Sequence, residues 1–423
     1  MYIKKYIFLA ASALALASCT SDDFMGDTPG NVESNNVTIS FGGSTGKISR
    51  ATATQSGATA AATLGNNFIV YGTKTKDNKT NEIYNYYNVN WKTAAEAGTS
   101  SESWVYAGEA KTSLNNGGNQ SLKYWDYAAT GYDFVAFSLG GKSIGTGDDE
   151  ISVSRITNHS KPTYTLTGKV SNLQKCYIAD RIALTTGYGS PVKFTFRSTG
   201  TKVSIAIYEN ISGYSIKSIK FYDSSTSTTP SNTPILYANS EQILSDDSKG
   251  KLSVSFDENN TAHAVLTEET QTTTTKASKI SFTTFTLNTT KEDHETTDDT
   301  EKYLSRTSSD PTTSSTEAVL PCTITGGLHM KVDYTLVATD GSGEEIEVKG
   351  ATVDVPQDHT QWKANFHYTY KFKITENTNG STGGSVTGLH PITFDAIITE
   401  DLAGSQTTET EFKTDGTGST TKQ

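Results

Sequence analysis

Large apolar side chains recur at every second position through most of this sequence, and that period is the strongest constraint on its fold. The cleanest run is Phe366, Tyr368, Tyr370, Phe372, Ile374. Such alternation turns one face of an extended strand to a core and the other to solvent. It returns at Val192, Phe194, Phe196, at Val203, Ile205, Ile207, and at Ile392, Phe394, Ala396, Ile398. Shorter strand-like runs cover Ile216 to Tyr222, Leu252 to Phe256, Ile280 to Leu287 and Met330 to Val337. Phe68-Ile69-Val70-Tyr71 is apolar without a break, as a central strand would be. No long helical period and no repeat of fixed length is present. The expected fold class is therefore all-β, with two tandem antiparallel β-sandwich domains.

Gly187-Tyr-Gly-Ser-Pro191 is the strongest turn signal in the chain, and the domain boundary is expected there. This gives an N-terminal sandwich over residues 37–187, a C-terminal sandwich over 188–402, and a polar tail over 403–423 in which Phe412 is the one large apolar residue. Three polar tracts, Asp223 to Thr233, Glu268 to Ser278 and Asn288 to Thr316, are expected to be long mobile loops. The net charge of −11 with no basic block argues against a nucleic-acid partner.

The front end is read differently. Lys4 and Lys5 precede an apolar run from Tyr6 to Ala17 that is too short to span a bilayer, so residues 1–18 read as an export signal. Leu16-Ala17-Ser18-Cys19 resembles the lipobox of bacterial lipoproteins, which implies cleavage before Cys19 and acylation of that residue. Several acyl chains make such an anchor effectively stable. A polar tether over 19–36 leads to Val37-Thr38-Ile39-Ser40-Phe41, a strand with Val37, Ile39 and Phe41 expected on one face, and then to Ser49-Arg50-Ala51.

Chemistry-bearing motifs are weak. Gly43-Ser-Thr-Gly-Lys47 lacks the first Gly of a phosphate loop and carries Ile48 where a metal-binding hydroxyl is required. The seven histidines are scattered, no Gly-x-Ser-x-Gly elbow exists, and the acidic run Lys291 to Glu301 has no ligand spacing. No catalytic, metal or cofactor residue is expected. Tyr84, Tyr86, Tyr87, Trp91, Trp104, Tyr106 and Trp125 could stack sugars, but aromatic residues in strands usually fill cores. Cys176 and Cys322 are expected as free thiols.

Several pieces in order resemble the fimbrillin family of type V pilus subunits. They are the lipobox, the Val37–Phe41 strand ahead of Arg50-Ala51, Tyr124-Trp-Asp126 before Tyr132-Asp-Phe-Val-Ala136, Trp362 ahead of Phe366-His-Tyr-Thr-Tyr-Lys-Phe-Lys-Ile374, and the last strand at Ile392 to Ile398. The resemblance implies two transthyretin-like sandwiches and delivery to the outer membrane by a lipid on Cys19. It also implies cutting between Arg50 and Ala51 by an arginine-specific surface protease. The 37–41 strand is then a plug whose loss opens a groove for a strand of another pilus subunit. Ile392, Phe394, Ala396 and Ile398 form the candidate donor strand. Family members commonly end in a short Trp-containing motif, whereas this chain reads Thr399-Glu-Asp-Leu402 and then turns polar, so a tip adhesin that accepts without donating is the alternative. A monomeric surface glycan-binding lipoprotein is the alternative from another class.

Overall fold

A computed structural model describes residues 37–45, 57–97, 102–115, 117–267, 275–287, 301–376, 378, 380–382, 385–387 and 393–400. The fold is all-β. Helices among the described residues are short, the longest being Gly57–Thr63.

The first pair of sheets is built around Asn67–Lys76. This strand pairs on one side with Lys79–Lys92 and on the other with Gly131–Ser138, both antiparallel. Phe68 and Val70 face one apolar cluster with Phe134, Phe194 and Phe196, while Ile69 and Tyr71 face a second one with Leu166, Leu252 and Val254. Cover on both faces explains why the sequence is apolar without alternation here. The second cluster lies against a four-stranded sheet of Ala262–Thr267, Lys249–Phe256, Tyr164–Lys169 and Ser152–Val153. Of the aromatic residues singled out between Tyr84 and Trp125, Tyr86 joins the second cluster, Trp91 packs half-buried against the first, and the others lie within the first. Tyr84, Tyr87, Trp104, Tyr106 and Trp125 are all buried, so these rings are core and offer no stacking platform.

The second pair of sheets holds one large core. Val203, Ile205 and Ile207 meet Tyr368, Tyr370, Phe372 and Ile374 across it from Ile216, Ile219, Met330, Val332 and Tyr334. Tyr370 Oη accepts from the Trp362 indole at 2.8 Å and donates to the His359 carbonyl at 2.8 Å, so the buried polar tips are satisfied.

Sheet membership does not follow the expected cut at residues 187/188. Val192–Ser198 pairs with Tyr177–Ala179 in the first sheet, and Thr201–Asn210 opens the second pair of sheets after only Thr199 and Gly200. The hairpin of Lys249–Phe256 and Ala262–Thr267 returns to the first pair by pairing with Tyr164–Lys169. The Gly187–Pro191 turn is a bend within one sheet. Among the described strands two pairs run parallel, Phe41–Thr45 with Val192–Ser198 and Thr201–Asn210 with Phe366–Thr375, and each joins strands far apart in the chain.

The mobile-loop expectation also needs correction where the tracts are described. In the 223–233 tract, Ser231 bridges back to Phe221, and Lys331 Nζ donates to the carbonyls of Ser225 and Ser227 at 3.1 Å. Residues 301–316 are anchored by fully buried Tyr303 and Leu304 and contribute the strand Thr312–Thr313. Cys176 is buried and Cys322 half-buried, and both are free thiols.

Candidate functional site

The site is the seat of the first strand. Its regular part is Phe41–Thr45, and residues 37–40 form a lead-in held by one bridge and individual hydrogen bonds. The Ile39 N–H donates to the Lys123 carbonyl at 2.9 Å, and the Trp125 N–H donates to the Val37 carbonyl at 2.9 Å. On the opposite side the Val192 N–H donates to the Ser40 carbonyl at 2.9 Å. Successive residues of an extended chain point their backbone groups in opposite directions. The lead-in therefore lies between two walls, 123–125 and the Val192–Ser198 strand.

Side chains key the segment in place. Phe41 is 1% exposed and sits edge-on to Tyr84 at 4.9 Å, to Tyr106 at 5.5 Å and to Phe134 at 6.0 Å, with Phe194 stacked at 5.9 Å. These are favoured aromatic geometries, and the four rings form a box for one ring. Tyr106 Oη donates to the Ile39 carbonyl at 2.8 Å while accepting from Tyr84 Oη and from the Lys123 N–H, each at 3.2 Å. Burial pushes the Tyr106 phenol above its usual range, and the hydrogen bond from Tyr84 offsets part of that. Burial also pushes Tyr84 far up, so both stay neutral donors at any physiological pH.

Sequence reasoning placed Val37, Ile39 and Phe41 together on a buried face. Ile39 and Phe41 are buried, but Val37 is 42% exposed and seats nothing in the core. The strict alternation fails at Val37 because it precedes the isolated bridge at Thr38 and has not yet entered the sheet. Burying one Ile and one Phe contributes about 3–6 kcal/mol before ordering costs. Cys19, Arg50, Ala51 and Ile392 lie outside the described residues. Phe394, Ala396 and Ile398 lie on Thr393–Glu400, which pairs antiparallel with Phe366–Thr375, Phe372 opposite Phe394 and Tyr368 opposite Ile398. The candidate donor strand thus occupies a place in its own sheet. From sequence Phe194 reads only as part of an alternating strand and Tyr106 only as a ring that could stack sugars, because nothing in their spacing links them to Phe41.

No family model matches the chain, and no curated protein matches it. Solved structures do resemble it. One is a fimbrial protein from Bacteroides vulgatus, 17% identical, with a TM-score of 0.49 over 85% of this chain and 98% of that one. Two others, from Bacteroides ovatus and Bacteroides uniformis, are provisionally described as cell adhesion proteins. Each is 13% identical, with TM-scores of 0.37 and 0.36 over 84% and 86% of this chain and 98% and 97% of theirs.

Proposed function

We propose that this chain is a lipid-delivered subunit of a cell-surface pilus that supports adhesion and assembles by strand exchange at the seat of its first strand. The observation that carries this reading is the state of that strand. Among the described residues, Phe41–Thr45 ends its sheet with Val192–Ser198 as its one strand neighbour, yet it places Phe41 in a fully enclosed box. Removing such a strand leaves an apolar slot, an unpaired strand edge and the Tyr106 hydroxyl without its acceptor, which is a template for another strand. Arg50 follows the strand by five residues, close enough for a cut there to release it. Cys19 carries the lipid that brings the chain to the outer membrane, and the partners are an arginine-specific surface protease and other pilus subunits.

Ile392-Thr-Phe394 repeats the pattern Ile39-Ser-Phe41, so the last strand has a ring to offer the box of a neighbouring copy. It must leave its own sheet to do so. That eight-residue pairing with Phe366–Thr375 favours a second reading, a tip subunit that accepts a strand and donates none.

Arginine-specific protease treatment should remove the segment up to Arg50 and yield ladders resistant to heat and detergent, and Arg50→Ala should abolish both. Undiminished polymer from Arg50→Ala refutes strand exchange. A tip subunit should cap ladders of other subunits and form none alone.

A further inference from the structure

Two of the rings around Phe41 owe their places to a glycine that is not itself part of the box. Gly72 pairs with Tyr84 on one side and with Phe134 on the other. A Cβ at position 72 would stand 2.8 Å from Phe134 Cδ1 and 3.2 Å from Tyr84 Cδ2. Both are closer than carbon atoms pack, so a side chain there would push two walls of the box apart. Glycine weakens a strand interior, and its use here marks the close approach of those rings.

A second irregularity turns Tyr84 toward that face. In a regular strand residues two apart share a face and residues three apart do not. Here Tyr84 and Tyr87 share the first cluster, while Tyr86 lies in the second. The register gives the reason. Val70 pairs with Tyr87 and Gly72 with Tyr84, so Tyr71 alone stands against both Asn85 and Tyr86, which is a bulge. Tyr86 takes a φ of 54°, in the left-handed region that bulky side chains rarely adopt. It is held there from the far side of the sheet: the Ile156 N–H donates to Tyr86 Oη at 2.7 Å, and the Tyr71 ring lies 5.3 Å from its own. Strain of this kind persists where the surroundings over-determine it, and it gathers at functional positions.

Tyr84 is the ring through which both irregularities reach the first strand. Its centroid is the nearest of the four to Phe41, at 4.9 Å. Its hydroxyl donates to Tyr106 Oη, which in turn holds the Ile39 carbonyl. Displacing Tyr84 therefore loosens a ring contact and a hydrogen-bond chain of the same segment at once.

We propose that Gly72 and Tyr86 are positioning residues for the first strand: Gly72 lets two walls of the box close on Phe41, and Tyr86 holds the bulge that turns Tyr84 into it. The hold on the first strand is then set in part from the opposite face of the sheet, where Ile156 secures Tyr86. This rests on the reading of the first strand as a removable one. It is measured on the uncut chain without protease, so it can fail while Arg50→Ala still abolishes ladders, and the reverse.

The test is amide hydrogen exchange of the full, uncut chain at Ile39, whose N–H meets the Lys123 carbonyl, and at Val192, whose N–H meets the Ser40 carbonyl. Gly72→Ala should quicken both by about tenfold or more, with the amides of Tyr164–Lys169 and Thr201–Asn210 at parental rates. Tyr86→Val should do the same, because a branched side chain resists positive φ. Tyr86→Asn takes that φ readily, needs no hold from Ile156, and should stay within about threefold of the parent. Parental rates at Ile39 and Val192 in Gly72→Ala would overturn the proposal. Equal quickening in Tyr86→Val and Tyr86→Asn would overturn it by making the ring, and not the bulge, the requirement. Equal quickening in the two reference strands would overturn it by showing general unfolding.

Discussion

Among the described residues two strand pairs run parallel, and they differ in what lies on the far side. Thr201–Asn210 pairs with Phe366–Thr375, has Thr312–Thr313 and Glu317–Val319 on its other edge, and is fixed within its sheet. Among the described residues, Phe41–Thr45 pairs with Val192–Ser198 alone, ends its sheet, and is held at its entrance by single hydrogen bonds. Both bury apolar side chains fully. The comparison separates two properties that are often merged: how much a strand contributes to a core, and how many neighbours must be broken to remove it. The first strand scores high on the first and low on the second, which is the combination that a replaceable strand requires.

The largest expected effect comes from Phe41→Ala, which empties the aromatic box and should cost about 3–5 kcal/mol in urea unfolding. Ile205→Ala on the enclosed strand should cost about 2–5 kcal/mol. The distinguishing readout is hydrogen exchange. Loss of Phe41 should expose the 192–196 amides, whereas loss of Ile205 should leave the pairing of Lys202–Asn210 protected until global unfolding.

Next is Arg306→Ala. Glu209 is the next-to-last residue of the enclosed strand, is fully buried, and meets Arg306 Nε at 3.5 Å. Removing the guanidinium strands a buried carboxylate and should cost about 3–5 kcal/mol at neutral pH. Burial holds the Glu209 pKa above its ordinary value, so the folded state binds the proton more tightly than the unfolded one. Its contribution is full below the ordinary carboxylate range and falls as pH rises through the folded value. The penalty of Arg306→Ala should accordingly shrink at acid pH. An equal penalty at both pH values would show that Glu209 is not the group left behind.

A smaller effect belongs to His367, opposite Lys202 in the enclosed pair. Burial first, and Lys202 second, lower its pKa from 6.5 to about 4. The neutral ring is the folded form, so its contribution is present above pH 6.5 and is lost as pH falls toward about 4. His367→Gln should flatten that part of the stability profile relative to the parent chain. The smallest effect is expected at Val37→Ala, within about 0.5 kcal/mol, since this residue is exposed. A cost comparable to that of Ile39→Ala would mean that the segment enters the sheet earlier than Phe41.

Much of the fold was legible because burial writes itself into a strand as a period. The alternations at Phe366 to Ile374 and Val203 to Ile207 locate strands of the second core, and the unbroken Phe68–Tyr71 locates the doubly covered strand. The seat of the first strand was legible only in part. Ile39 and Phe41 declare themselves by pattern, but the ring that meets Phe41 from Phe194 lies more than 150 residues away, and no local rule connects them. The turn at Gly187–Pro191 misled for the same reason. A turn signal reports a change of direction, and whether the chain then enters a new sheet or returns to the old one depends on partners that it does not name.

By itself the sequence determined that this chain builds strands and which face of its clearest alternating runs turns inward. Only the tertiary structure decided which strands are neighbours: that Val192–Ser198 belongs with the first strand, that the 249–267 hairpin returns to the first pair of sheets, and that the last strand sits beside Phe366–Thr375. The division has a physical cause. Inward and outward facing is set residue by residue through solvation of side chains, whereas pairing is a choice among many edges of similar hydrogen-bonding capacity. That choice is settled by which combination closes the cores.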